Sequence, residues 1–379
     1  MTKLNKLAKC VVVASLVGAF ASTAQAAAPN LPMDWENRVA NVEKMFGTVD
    51  SPWAEMTKRA INPNAYQCDS TPLTEWVDSV VTPDLVAAYS YIAARYGSNF
   101  ASTMLNFPQF DAQLFLHENS AATYGVDGEY TKVLTSEMRN LKRFWDIPSS
   151  DIELIPMHGA PVFSSVERIE NIVSTLYVVS PALARQIAQD IYQAIHSRPS
   201  LKGGDHPYFS FNAFAYSPSP AIREAFGIGD RIIMGDGIMQ GLQAVGLGEF
   251  GPRTVLGHEF GHHVQFEKDL FNGPLTGAEA TRRTELMADS LSTYYLTHKR
   301  GATLNAKRLL PSLQVSYQIG DCNFSSSNHH GTPNQRLRAA EWGAGIAAGA
   351  HKQGHILPSL TFSGLFDQSL PELVRPDAE

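Results

Sequence analysis

Within 254-TVLGHEFGHHVQFEKD-269 three histidines and two glutamates sit close together on a segment with helical apolar spacing at Val255, Leu256, Phe260 and Val264. A helix turns by about 100° per residue, so His258 and His262, four apart, project from one face about 40° apart. Both imidazoles can reach one ion. His263 falls about 140° away from His258 by the same geometry and should point elsewhere. Glu259 is rotated off the ligand face, yet it remains close enough to reach a water on that ion. The pattern is HExxH, in which the histidines hold zinc and the glutamate acts as general base.

A catalytic zinc site usually has three protein ligands and one open position, so a third ligand is required. Downstream, 282-RRTELMADSLSTYY-295 offers Glu285 and Asp289, again four apart on one helical face. One carboxylate can bind the metal. The other can accept a hydrogen bond from the far nitrogen of a ligand histidine and fix its tautomer. Small Ala288 and Ser292 would let the two helices pack closely.

HExxH followed by a helix carrying ExxxD resembles the gluzincin metallopeptidases. The pieces HEFGHHVQ, ELMAD and HGTPNQR together resemble the bacterial neutral zinc metallopeptidase family. They are also similar to the CAAX-prenyl-endopeptidase-like zinc peptidases, in which an NAFA strand precedes the zinc helix and a histidine stands six residues before an arginine after the third ligand. Here 212-NAFA-215 and His330 with Arg336 match those features. The resemblance spans roughly residues 205–350. It implies Glu285 as third ligand and Asp289 as its partner one hydrogen bond behind the ligands. It also points to Asn212 and Ala213 on an edge strand that pairs with the backbone of a peptide substrate. A peptidase needs a donor for the oxyanion besides the metal. His330 can supply it, preferred over its neighbour His329 on spacing, with Arg336 orienting that histidine or holding substrate carbonyls.

The remaining elements must position this site. The segments 84–97, 130–145, 165–179 and 181–197 read as helices, and 98–113 is ambiguous. Strands are expected within 151–163, at 208–217 and at 231–235. Helices are expected at 236–245 and 278–298, and a last one at 334–352. The expected fold is α+β: a zincin-like metallopeptidase core, predominantly helical, with a small sheet and a mainly helical N-terminal region. The expected domains are a signal peptide at 1–26, the N-terminal region at 27–150 and the metallopeptidase domain at 151–379.

Residues 1–26 combine three lysines, the short apolar run 10-CVVVASLVGAFA-21 and the small-residue pattern 24-AQA-26, as a secretory leader does. Its removal takes the formal charge from −7 to −10. That balance argues against nucleic acid or an anionic membrane surface as partner. No other segment is long and apolar enough to span a bilayer, which argues against a prenylated membrane substrate. Cys68 and Cys322, the cysteines left after cleavage, are expected to be bridged in an oxidising compartment.

The expected protein is thus an exported zinc endopeptidase, periplasmic or extracellular, acting on a peptide or protein substrate. Two other readings are a non-peptidase hydrolase using the same zinc-activated water, and a catalytically silent, zinc-holding module that grips peptides on the 208–217 strand.

Overall fold

The computed structural model describes residues 29–46, 68–114, 122–322, 329–350 and 354–377. The expected leader at 1–26 and the 323–328 part of the His330 loop lie outside the described residues. The fold is mostly helical with one three-stranded sheet, an α+β chain.

The chain divides into two compact units, and it crosses between them more than once. The expected boundary at residue 150 therefore matches neither unit. One unit takes residues 80–110 and 159–209 with the described N-terminal helix Trp35–Phe46. Trp35, Tyr96, Phe100 and Tyr177 form its aromatic centre. Nearby, the carboxylate of Asp190 is held by Arg95, Tyr91 and Tyr96.

The other unit contains the HExxH segment and is built from segments distant in sequence. In chain order its labelled elements are α1 (Pro72–Val80), α2 (Thr131–Phe144), β1 (Glu153–Met157), β2 (Ala213–Tyr216), α3 (Pro220–Phe226), β3 (Arg231–Gly235), α4 (Asp236–Ala244), α5 (Gly251–Glu267), α6 (Gly277–Thr297), α7 (Ala306–Gln318), α8 (Pro333–Ala350) and α9 (Ser359–Leu373).

The sheet order is β1-β3-β2. Every residue of β3 is buried, as its central place requires, and its Ile232-Ile233-Met234 run supplies the apolar surface. β1 runs parallel to β3 and carries Pro156, which an edge strand tolerates because one side needs no donor. β2 runs antiparallel on the opposite edge. It is shorter than the expected 208–217 strand. A 3-10 turn at Pro207–Ser210 and the Asn212 N–H bond to the Ser210 carbonyl occupy its first half.

α6 is the central helix, buried on all sides from Leu286 to Thr297. A helix with no wet face cannot be amphipathic, and α6 meets its neighbours through small and hydroxyl residues. Ser292 Oγ donates to the Thr254 carbonyl of α5. Ser290 and Thr293 donate to the Ala339 and Ala340 carbonyls of α8. A Cβ at Gly257 of α5 would lie 2.6 Å from Ser292 Oγ, and one at Gly261 would lie 3.1 Å from the Ala288 Cα. The seam is closed by the absence of side chains on α5 as much as by the small residues on α6.

Three elements of this unit depart from the expectation. α3 and α7 have no counterpart among the expected elements, and α9 follows the helix expected to be the last regular element. α7 and α9 each contain a proline, Pro311 and Pro371, which interrupts the helical pattern. No helix among the described residues is long and apolar enough to cross a membrane.

Candidate metal centre

α5 delivers His258, Glu259 and His262, and α6 delivers Glu285 and Asp289. The close seam between them lets groups on separate helices converge. His258 Nε2 lies 3.2 Å from His262 Nε2 and 3.3 Å from Glu285 Oε2, and His262 Nε2 lies 3.4 Å from Glu285 Oε1. These three residues form the one group among the described residues whose donor atoms could jointly hold a metal ion.

The hydrogen bonds around the group decide what converges there. Asp289, fully buried, accepts from both Nε and Nη2 of Arg336 at 2.8 and 2.9 Å. So paired, it is a carboxylate and can only accept. His258 Nδ1, 3.0 Å away, must therefore be the donor, and its Nε2 carries a lone pair. Gln265 Nε2 donates to the Thr284 carbonyl, which turns Gln265 Oε1 toward His262 Nδ1 at 2.8 Å. His262 Nδ1 donates in turn, and its Nε2 also carries a lone pair. Two imidazole lone pairs and a carboxylate thus face one point with no donor among them, an arrangement that only a cation or added protons can satisfy. The separations equal the edge of a tetrahedron with bonds of about 2.0–2.1 Å, the bonds that imidazole and carboxylate make to zinc.

In the metal-free chain the charges follow the same logic. Burial opposes a charge on His258, but hydrogen bonds to Asp289 and Glu285 and the nearby carboxylates hold its pKa up at about 10. His262 is raised too, by Glu285 against the cost of burial. Burial would favour neutral Glu285, yet His330 and the two facing histidines hold it well below the usual carboxylate range. Glu259 goes the other way: burial raises it, and the histidines offset this only in part.

Glu259 stays out of the donor cluster. Its Oε2 accepts the Ala215 N–H of β2 at 2.9 Å. That contact also shows which way the strand faces. Asn212 offers its carbonyl to Gly235 N–H of β3, so main-chain groups of 212, 214 and 216 point inward and those of 213 and 215 point to the free edge. Of the two expected strand positions, Ala213 turns its main chain outward. Asn212 uses its carbonyl within the sheet.

The expected helpers separate. His330, itself exposed just before α8, sets Nδ1 3.5 Å from Glu285 Oε2. His329 is fully buried, with Nδ1 2.7 Å from Asp321 Oδ1. Arg336 differs from the expectation that it orients His330 or holds substrate. Its side chain is 1% exposed and spent on Asp289 and the Ile319 carbonyl, so it cannot touch a substrate. Its charge is needed inside, to keep Asp289 ionised behind His258. His263 lies outside the cluster and donates Nε2–H to the Arg231 carbonyl at 2.9 Å, fastening α5 to β3.

The sequence reading missed Gln265 and Asp321. Gln265 stands three residues after His262 on the same helix, a spacing that could have flagged it. Asp321 had no such signal. It receives the His329 ring on Oδ1 and the His330 backbone N–H on Oδ2 at 2.6 Å, and its own N–H bonds the Gly331 carbonyl. Cys322, next to it, is disulfide-bonded to Cys68 with Cα atoms 5.6 Å apart. Thr71 and Leu73, just after Cys68, bond the carbonyl and side chain of Gln318. The stretch 68–73 thus braces the root of the loop that carries His330.

No protein-family model, curated protein or solved structure matches the chain.

Proposed function

We propose that the chain is an exported zinc-dependent endopeptidase with a zincin-like core of the gluzincin type. One observation carries the reading: two imidazole lone pairs and a carboxylate converge at tetrahedral spacing while a buried glutamate stands beside them, outside the donor set. A structural zinc site closes with four protein ligands and has no use for such a base. Mixed imidazole and carboxylate donors suit zinc better than calcium or magnesium, which take oxygen ligands.

A zinc ion bound by His258, His262 and Glu285 would supply the Lewis acidity that polarises a carbonyl and acidifies a water. Asp289 and Gln265 hold the two imidazoles in the ligating tautomer. Glu259, raised by burial, accepts a proton from the attacking water and returns it to the departing amine. The outward N–H and C=O of Ala213 and the carbonyl of Ala215 pair with an extended peptide backbone. This fixes the scissile bond with little regard to side chains. His330 donates to the carbonyl oxygen as it gains charge. The Cys68–Cys322 bridge suits an oxidising compartment, in keeping with export.

The test compares the zinc-loaded chain with Glu259→Gln on a denatured protein mixture, with new termini identified by mass spectrometry. Termini produced by the wild type and lost in the variant support the reading. Identical mixtures, with zinc bound in both, refute it and leave the silent peptide-binding module in its place.

A further inference from the structure

We infer that the start of α6 is a binding site for a small oxyanion, a phosphate or a free carboxylate, held by the N–H groups of Gly277, Ala278 and Glu279 together with the guanidinium of Arg282. α6 begins without a cap: Thr276 precedes it in an extended conformation, and no side chain accepts from its first turn. Gly277 stands at φ 58°, in the left-handed region, directly before the right-handed turns of the helix. Such a change of hand turns successive N–H groups toward one point, a backbone concavity suited to anions. The N–H groups of Gly277, Ala278 and Glu279 make no hydrogen bond among the described residues. A helix start is ordinarily met by a cap or by water. Ala278, however, is 0% exposed, and a buried N–H without a partner is rare.

A helix start alone names no ligand, and Arg282 supplies the second, independent observation. It is 4% exposed, and its Nη1 is buried with no hydrogen-bond partner among the described residues. Its Nη2 reaches Glu279 Oε1 at 3.4 Å, a long contact with a side chain that is one-third exposed. That contact sets the guanidinium back over the first turn, the direction in which helical side chains lean. Ala278 and Arg282 are four apart, so the orphaned N–H and the orphaned Nη1 lie on one side of the helix. The next residue shows the contrast: Arg283 is fully engaged by Asp367 and the Leu270 carbonyl. A buried cation with a donor unmet is costly, and an anion placed there recovers that cost.

The chemistry of the ligand follows from the donors. Three N–H groups, the positive end of a long helix and a guanidinium nitrogen all seek acceptors and favour negative charge. An oxyanion carries more than one acceptor oxygen, so it can span the backbone groups and Nη1 together. The Glu279 carboxylate opposes it, and that residue with exposed Thr276 leaves the first turn open to solvent. Ala278, Arg282, Glu285 and Asp289 follow one another on one face of α6. Seven residues, about 10 Å of helix, separate Ala278 from Glu285, so this site is separate from the metal donors. Ala278 also packs against Cys68 and Cys322. An oxyanion there fastens the start of the helix that delivers Glu285, whatever reaction the donors serve.

The test titrates inorganic phosphate, and separately acetate, into the metal-free protein by calorimetry at fixed ionic strength and low chloride. Saturable binding of at least one of them, in the millimolar range or tighter, is expected. The tighter of the two shows whether the site is built for phosphate or for a carboxylate. Arg282→Gln should weaken that binding about tenfold or more, since a charge-assisted bond is lost. Glu279→Gln should strengthen it about threefold or more, since a like charge is removed. Circular dichroism checks that each variant is folded. No saturable binding of either anion, or an affinity unchanged in folded Arg282→Gln, overturns the site. If Arg282→Gln does not fold, an affinity that fails to rise in Glu279→Gln overturns it. Binding lost in His262→Ala overturns it as well, because the anion then sits on the metal donors. None of these readouts needs turnover, so failure of the peptidase reading leaves this site standing, and the reverse holds too.

Discussion

Asp289→Asn tests whether the buried pair behind His258 makes the metal site. The carboxylate takes four hydrogen bonds: from His258 Nδ1, Ser316 Oγ and Arg336 Nη2 on Oδ1, and from Arg336 Nε on Oδ2. An amide of the same shape must place its NH2 against at least one of these donors. The better orientation gives up the Arg336 Nε bond and leaves a buried guanidinium without its counterion. Breaking a buried pair from one side costs about 3–5 kcal/mol. The Ile319 carbonyl and Glu285, 3.8 Å from Arg336, relieve part of that, so about 3 kcal/mol is the expected loss. At about 2–4 °C per kcal/mol for a unit of this size, the metal-free protein should melt about 6–12 °C lower. Because His258 Nδ1 then donates to a neutral amide oxygen instead of a carboxylate, its Nε2 is a weaker donor, and zinc affinity measured against a chromophoric chelator should fall about 10- to 100-fold. Adding Arg336→Met removes the stranded charge and should restore part of the stability but not the zinc affinity. If Asp289→Asn melts within a degree of wild type and binds zinc within threefold, the pair does not position His258 and the reasoning fails.

The pH dependence should have opposite signs with and without metal. His258 in the metal-free chain is raised from 6.5 to about 10, so its stabilisation is complete below about pH 6.5 and is lost as pH climbs toward 10; zinc must displace those protons, so the loaded form should gain stability over the same range, and melting curves of both forms check this. Gly257→Ala should destabilise by about 1–3 kcal/mol in chemical unfolding although helix propensity alone favours alanine by about 1, because its Cβ would meet Ser292 Oγ at 2.6 Å. His330→Ala should lower kcat about 10²- to 10³-fold with KM and zinc content little changed. Cys68 and Cys322 should take up no alkyl group without reduction, and Cys68→Ser with Cys322→Ser should unfold about 2–4 kcal/mol more easily.

His258 and His262 were legible in sequence because one helix fixes spacing: four residues apart means one face, whatever the tertiary context; the choice of Glu285 over Asp289 as the third donor came from the resemblance, since spacing alone left both open. α5 and α6 were also bounded closely, since apolar periodicity survives where a helix packs on several sides. Long-range pairings were harder to read. Nothing local says that Arg336 turns inward to Asp289, because an arginine opening a helix after a polar loop looks like a surface residue. The burial of that charge depends on α8 lying against α6 through Gly343, whose Cβ would strike the Ser290 carbonyl at 2.2 Å. The bracing of the His330 loop by residues 68–73 joins segments some 250 positions apart, which no window on the sequence can see. The two compact units are hard to read for the same reason: the chain re-enters each unit after leaving it, so no single boundary in the sequence marks them.

The Cys68–Cys322 bridge orders events in the life of the chain. Its partners are 254 positions apart, so the first cysteine must wait, free, while nearly the whole protein is made. The three metal donors are all present before residue 322 emerges from the ribosome, but the strap beside Asp321 is not. A chain still in reducing surroundings, or one cut short before residue 322, therefore carries the three donors without the fastened arm beside them. In the exported protein proposed above, completion of the polypeptide and an oxidising space together would be the condition for fastening the arm beside those donors.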